Sequence, residues 1–183
     1  FLRDLLTETM KIPEARQWLL ERRVNDNSVG VGLAEDLRAY LMEIDADSLS
    51  NILVGGMNRA ELPIKAPSVL ASVLEPAEFI LPPLPNHLFT RDTTCWIYEG
   101  VTLNPMRWNA RKQETANITA IYRFHPDFRD ADFPVWWGDP DQDFGLAAAE
   151  GGDIMPIGNR AVLIGMGERT TPQAVGQIAR ALF

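Results

Sequence analysis

Up to about residue 75 the apolar positions recur every three or four residues, the period of helices with one buried face. Phe1, Leu2, Leu5 and Leu6 form one stripe. Ala15, Trp18, Leu19 and Arg22 form a second behind Pro13, whose fixed φ suits the first turn of a helix. The polar run Asn25-Asp26-Asn27-Ser28 is expected to end it. After Gly30, Leu33, Leu37, Leu41 and Ile44 make a third stripe, with Glu35, Asp36, Arg38 and Glu43 on the other face. Asp47 is placed to cap a further helix through Leu49, Ile52 and Leu53, which Gly55-Gly56 would end. The stripes predict several short helices packed together, with no catalytic pattern among them.

Pro76 to Pro85 then stop helical structure, because proline lacks the backbone donor and its ring clashes with a preceding turn. The chain runs extended to Asn86, which makes this passage a candidate domain boundary. From Asp92 the alternation shifts toward a period of two. Cys95-Trp96-Ile97-Tyr98 and Val101-Thr102-Leu103 read as strands around a Glu99-Gly100 turn. Arg111 opens a helix with Ile118, Ile121 and Tyr122 on one face, ending before Pro126. From Asp153 the order recurs: strand Ile154 to Ile157, turn Gly158-Asn159, strand Ala161 to Met166, then Thr171-Pro172 as cap and first turn of a helix to Phe183. Two copies of strand, strand, helix predict a modular α/β (α+β) fold.

Composition narrows the function classes. The 183 residues, 46% hydrophobic and 23% charged, suffice for one large domain or two small ones, each with a core. No apolar run approaches the ~20 residues of a membrane-spanning helix, and Phe1 opens without a basic, signal-like stretch, so a cytoplasmic protein with no membrane partner is expected. The net charge of -8 argues against a nucleic-acid partner. A single cysteine, Cys95, excludes an internal disulfide, and with only His87 and His125 beside it, metal ligation by nitrogen or sulfur is disfavoured.

The candidate chemistry centres on Glu150-Gly151-Gly152-Asp153, two acids flanking a glycine pair where a hairpin begins. Alone it reads as a solvated turn. An antiparallel hairpin, however, returns the chain to the end from which it started. Asp92 and Arg111 should therefore share one edge, and Glu150, Asp153 and Arg169 the corresponding edge of the second unit. Side by side, the units would present acids and arginines together. A carboxylate accepts the fork of hydrogen bonds that a guanidinium donates, and an arginine holds a carboxylate in the same way, so a ligand carrying both groups fits: arginine. A hard-cation site at Asp92, Glu150 and Asp153 is an alternative that the interleaved arginines disfavour, so no metal is expected. Strand-end salt bridges of Asp92 and Glu150 with Arg91 and Arg160 are another.

Pro85-Asn86-His87-Leu88-Phe89-Thr90-Arg91-Asp92, Asn104-Pro105-Met106, Ala110-Arg111 and Glu150-Gly151-Gly152-Asp153, in this order, closely resemble the bacterial arginine deiminase family, over essentially the whole chain. The resemblance implies a five-module ββαβ propeller, the pentein fold. Residues 1–75 would be a helical insertion domain and 76–183 about two modules of the catalytic domain. It implies an enzyme that hydrolyses L-arginine to L-citrulline and ammonia through a cysteine covalent intermediate, with a histidine moving protons and no cofactor. By motif, Asp92 resembles the carboxylate that grips the guanidinium nitrogens, and Glu150 the second acid there, which assists proton movement. Asn86, Arg111 and Arg169 resemble residues that orient the amino-acid end, and Asp153 and Phe89 match positions around the substrate.

The family's nucleophilic cysteine and catalytic histidine belong to later modules, so the chain is expected to be an internal portion that carries the substrate clamp and is inactive alone. Cys95, alternating beside Trp96, reads as a buried, inert thiol. His125 reads as a helix-end residue, and His87 has no recognisable catalytic partner. Incomplete modules leave sheet edges and apolar faces open, so a homo-oligomer is one expected state. The competing readings are another guanidine-modifying enzyme, an amidinotransferase or a dimethylarginine hydrolase, and a non-catalytic arginine-binding module.

Overall fold

A computed structural model describes residues 2–65 and 68–183; Phe1, the first member of the first apolar stripe, lies outside the described residues. Five helices follow one another in the first part: α1 (Leu2–Thr9), α2 (Pro13–Arg23), α3 (Asp26–Val29), α4 (Ala34–Glu43) and α5 (Ala46–Gly55). Their stripes turn inward as the period requires. Leu6, Leu19, Leu33, Leu37, Leu41 and Leu49 are fully buried, each contributing about 1.5–3 kcal/mol relative to exposure.

Two expectations about helix ends change. The polar run Asn25 to Ser28 does not simply end α2 but starts α3: the Asn25 side chain accepts the Asn27 and Ser28 N–H groups at 3.0 and 3.1 Å, and Ser28 Oγ accepts the Asn25 N–H at 2.9 Å. The cap of α5 is Asp45, not Asp47. Asp45 is extended (φ -64°, ψ 156°) and accepts the Ser48 N–H at 2.9 Å, whereas Asp47 already lies in the first turn, where its carboxylate takes the Arg3 guanidinium.

Beyond α5 the chain forms β1 (Met57–Asn58), α6 (Val69–Val73) and β2 (Phe79–Leu81), with β1 and β2 paired antiparallel. After α7 (Thr90–Thr93) come β3 (Thr94–Ile97) and β4 (Gly100–Leu103), also antiparallel, with Ile97 opposite Gly100. The turn is therefore Tyr98-Glu99, one residue earlier than the sequence pattern suggests. Gly100 is a strand residue whose missing side chain admits a neighbour: a Cβ there would lie 2.5 Å from the Pro134 carbonyl oxygen. Helices α8 (Lys112–Phe124) and α9 (Pro126–Arg129) lead to β5 (Val135–Trp137), which pairs parallel with β4. The second hairpin, β6 (Ile154–Gly158) and β7 (Ala161–Ile164), forms a sheet of its own, followed by α10 (Pro172–Leu182). Its turn is Asn159-Arg160, both with positive φ, because Gly158 pairs across with Ala161. Strand β7 ends at Ile164, two residues short of Met166, and the Gly165 N–H still bonds the Asp153 carbonyl opposite it at 2.9 Å.

The result is a mixed α/β structure with small sheets and ten α-helices among the described residues. None of those helices is long and apolar enough to cross a membrane. The first five helices do not pack only on each other. Their core runs on into Ala116, Ile118, Ala120 and Ile121 of α8, and His125, beyond the end of α8, reaches Glu8 of α1 through Nε2 at 3.1 Å. A second core beneath β3, β5 and β6 joins Cys95, Ile97, Trp137, Ile154, Ala174 and Ile178.

Between α8 and the loop that follows β2 lies a buried polar layer. His87 is 4% exposed, and its Nε2 accepts from the Asn117 amide at 3.2 Å. Burial, with the nearby Arg23 and Arg111 charges, holds the imidazole down at about 4 rather than 6.5. Unfolded His87 takes up its proton near pH 6.5, and the folded chain resists it until about pH 4. The unfolded state therefore binds more protons in that window, and stability is lost as pH falls through it, by roughly 3 kcal/mol in all. Urea unfolding from pH 7 to pH 4 should show this loss, and His87→Gln should lack that part of it; equal slopes for both proteins would mean that His87 is protonated in the fold.

Candidate functional site

Asn86, Phe89 and Asp92 are three residues apart, and two successive turns put them together. The Phe89 N–H bonds the Asn86 carbonyl at 2.9 Å, and the Asp92 N–H bonds the Phe89 carbonyl at 3.1 Å. The Asp92 carbonyl in turn accepts the Asn104 amide at 2.8 Å, fixing the start of β3 against the end of β4. Asn86 and Phe89 are exposed, and Asp92 is partly so.

Arg111 enters from the turn ahead of α8 and is 4% exposed. Its NH1 donates to Asp92 Oδ2 at 3.1 Å and to Glu150 Oε1 at 3.0 Å, while its Nε and NH2 edge lies on Glu114, with an NH2–Oε2 distance of 2.8 Å. Glu150, 3% exposed, receives Arg169 NH1 on its other oxygen at 2.8 Å. The structure thus joins Asp92, Arg111, Glu150 and Arg169 in one contiguous ion-pair network, as the hairpin geometry requires. The acids pair with Arg111 and Arg169 rather than with Arg91 and Arg160.

Asp153 faces a different partner. Its Oδ2 accepts the Thr170 hydroxyl at 2.6 Å, and the same hydroxyl accepts the Glu150 N–H at 3.0 Å. Asp153 therefore acts on Glu150 through Thr170. Among the described residues no group of three or more His, Cys, Asp or Glu is arranged to hold a metal ion.

The electrostatics follow from burial. Desolvation pushes the Glu150 carboxyl up, against the pull of Arg169 and Arg111 and with the help of the Asp92 charge. Desolvation alone would lower Arg111, but the hydrogen bonds and charge of Glu114, with Asp92 and Glu150, outweigh it and hold the guanidinium up. The Cys95 thiol is buried behind the site and is pushed up by desolvation, the Arg91 charge opposing. It is no thiolate at neutral pH.

Sequence reasoning passed over three residues. Glu114 is an acid three positions after Arg111 and four before the buried Ile118, where the helical stripe calls for an apolar side chain; that misfit was a readable signal. Asn104 stood in a motif without a role. Thr170, beside Arg169, carried no signal. A cleft of about 680 Å³ lined by Asn104, Arg107, Lys112 and Asp141 lies alongside, and none of the seven candidate residues lines it.

Arg91 sets the spacing of the two motifs: its Nε and NH2 donate to the carbonyls of Gly151 and Ile154 at 3.2 and 2.7 Å. The approach is so close that a Cβ on Gly151 would lie 2.0 Å from the Arg91 carbonyl oxygen, whereas one on Gly152 would meet only the Asp92 carboxylate, at 3.0 Å. Gly151→Ala should therefore destabilise the chain by about 1–3 kcal/mol, several degrees in Tm, while Gly152→Ala should leave Tm within about 2 °C. Thermal unfolding of the two variants checks this, and equal melting would remove the close approach as a constraint.

Against known proteins, the family model described as arginine deiminase matches residues 1–183. Among solved structures, dimethylarginine dimethylaminohydrolase adducts with S-methyl-L-thiocitrulline and with 4-chloro-2-hydroxymethylpyridine each share 24% identity over 56% of this chain, at a TM-score of 0.42. The chain spans 37% and 38% of their respective lengths. With the whole of its length matched by the family model, this chain belongs to the arginine deiminase family.

Proposed function

We propose that these residues form the substrate clamp of an enzyme that hydrolyses L-arginine to L-citrulline and ammonia. One observation carries the reading: Asp92 and Glu150 already close on a guanidinium, that of Arg111, at 3.1 and 3.0 Å. The acid pair has the spacing and charge to hold such a group, and the substrate guanidinium takes the place of the Arg111 NH1 corner. Arg111, Arg169 and Asn86 orient the amino-acid end, chiefly its carboxylate, with Phe89 beside it and Asp153 holding Glu150 through Thr170.

In the reaction a cysteine thiolate attacks the guanidinium carbon, forming the C–S bond. The C–N bond then breaks and ammonia leaves with a proton. Water adds to the same carbon and the C–S bond breaks, releasing citrulline and the thiolate. Glu150, its carboxyl raised by burial, is suited to carry a proton between water and the leaving nitrogen. A histidine supplies the further proton movement. The protonated, buried Cys95 is not the attacking group. In this reading residues 76–183 are about two modules of a five-module propeller, and residues 1–75 are a helical insertion.

The full-length protein that carries this chain should produce citrulline from L-arginine, and Asp92→Asn should lower kcat/KM by about a hundredfold or more, because one jaw of the clamp loses its charge. Citrulline formation measures both, and turnover of a dimethylated or decarboxylated guanidine in place of arginine would overturn the substrate assignment.

The pH dependence has a definite sign. Only ionised Glu150 grips the cation, so affinity falls as pH drops through its raised pKa, at higher pH than an ordinary glutamate would cause. Calorimetric titration with L-arginine of the full-length protein whose nucleophilic cysteine is replaced by alanine should show that step, and Glu150→Gln should remove it. A step that survives the substitution belongs to another group.

A further inference from the structure

Glu114 is sealed from solvent in the first turn of α8, at 0% exposure. A carboxylate there is tolerable only if its lone pairs are met, and they are. Oε1 accepts the Asn86 backbone N–H at 3.0 Å and Arg111 Nε at 3.3 Å; Oε2 accepts Arg111 Nε at 3.1 Å and NH2 at 2.8 Å. The two residues that meet on this one side chain, Asn86 and Arg111, are both read above as holding the amino-acid end of the ligand. The contacts also divide the Arg111 guanidinium. Its Nε/NH2 edge is committed to Glu114, and its NH1 corner alone reaches Asp92 and Glu150.

We propose that Glu114 is a positioning residue that sets ligand choice: it tethers the Asn86 backbone and Arg111 Nε to one buried carboxylate, so that an incoming guanidinium displaces the terminal nitrogens of Arg111, which swing about that tether to a ligand carboxylate. The inference rests on the arginine reading of the site. A guanidinium arriving at Asp92 and Glu150 takes over the partners of NH1. Arg111, still tethered to a buried anion through Nε, then swings its rigid plane so that the terminal nitrogens face outward. A guanidine that carries a carboxylate rewards that movement, and one without a carboxylate does not. Glu114 itself touches no ligand, so its removal should act on one class of ligand and spare the other.

The test compares wild type, Glu114→Gln, Arg111→Lys and the double variant of the full-length protein, each with the nucleophilic cysteine replaced by alanine so that L-arginine binds without turnover, by calorimetry with L-arginine and with agmatine, which has the guanidinium but no carboxylate. Glu114→Gln should weaken L-arginine by about tenfold or more and leave agmatine within about twofold, and the double variant should be no weaker than Arg111→Lys alone. Equal weakening of both ligands, or additive effects of the two substitutions, overturns the proposal.

Phenylglyoxal labelling read by peptide mass spectrometry separates this from a failure of the arginine reading. Without ligand, Arg111 should be unreactive in wild type and reactive in Glu114→Gln, while Arg23, 5% exposed and bonded to the Pro82 carbonyl, stays unreactive in both. Wild type that binds neither ligand overturns the arginine reading, and the labelling then still decides the anchoring: Arg111 unreactive in Glu114→Gln overturns it. Labelled Arg23 reveals an unfolded variant. In that case Glu114→Asp, which keeps the charge and shortens the reach, replaces it with the same expectations.

Discussion

A guanidinium at 4% exposure has lost nearly all of its hydration, and nothing in an apolar interior compensates a cation for that. Arg111 is held there because three carboxylates, from α8, from α7 and from the loop ahead of β6, converge on it. The acids depend on the guanidinium in turn. Glu114, sealed from solvent, would be an uncompensated charge if Arg111 withdrew, and Glu150 would keep only Arg169, so three segments far apart in sequence are held at one set of distances. The same convergence leaves the site tense in a chemical sense. Burial strips Glu150 of water, and with the Asp92 and Asp153 charges nearby it keeps its proton more readily than a glutamate in water, although Arg169 and Arg111 oppose this.

The helices of the first part bear on this indirectly. They cover the apolar face of α8, through Ala116, Ile118, Ala120 and Ile121, while the first turn of the same helix delivers Glu114 to the site. The orientation of α8 is thereby set by packing at a distance from the chemistry. Asn117, one turn further along, bonds His87, which burial and the Arg23 and Arg111 charges keep neutral, and so ties the loop carrying Asn86 and Phe89 to the helix. Helical packing and polar placement are thus two functions of one element.

What could be read beforehand follows from the range of the interactions. The stripes of α1, α2 and α4 are local and periodic, and they emerged where the pattern put them. Caps and turns are local too, yet they hinge on one residue's φ and ψ, so Asp47 was taken for Asp45 and both hairpin turns were displaced by one position. The meeting of Asp92, Arg111, Glu150 and Arg169 was legible because a hairpin returns the chain to its starting edge, whatever its side chains. Strand β5 was not: three residues, Val135 to Trp137, are too few for a period, and their pairing with β4 is non-local. Thr170 and Arg91 were equally hidden, since their bonds cross 17 to 63 residues and leave no trace in the nearby pattern.

Arg91 has a consequence of a different kind. The groups it grips, the carbonyls of Gly151 and Ile154, carry no proton to gain or lose. The distance between the Asp92 and Glu150 jaws is therefore gauged by a joint indifferent to the ionisation of either acid. A proton can arrive at Glu150 or depart while the frame around it stays still, so the field between the two acids changes without the geometry relaxing to absorb it.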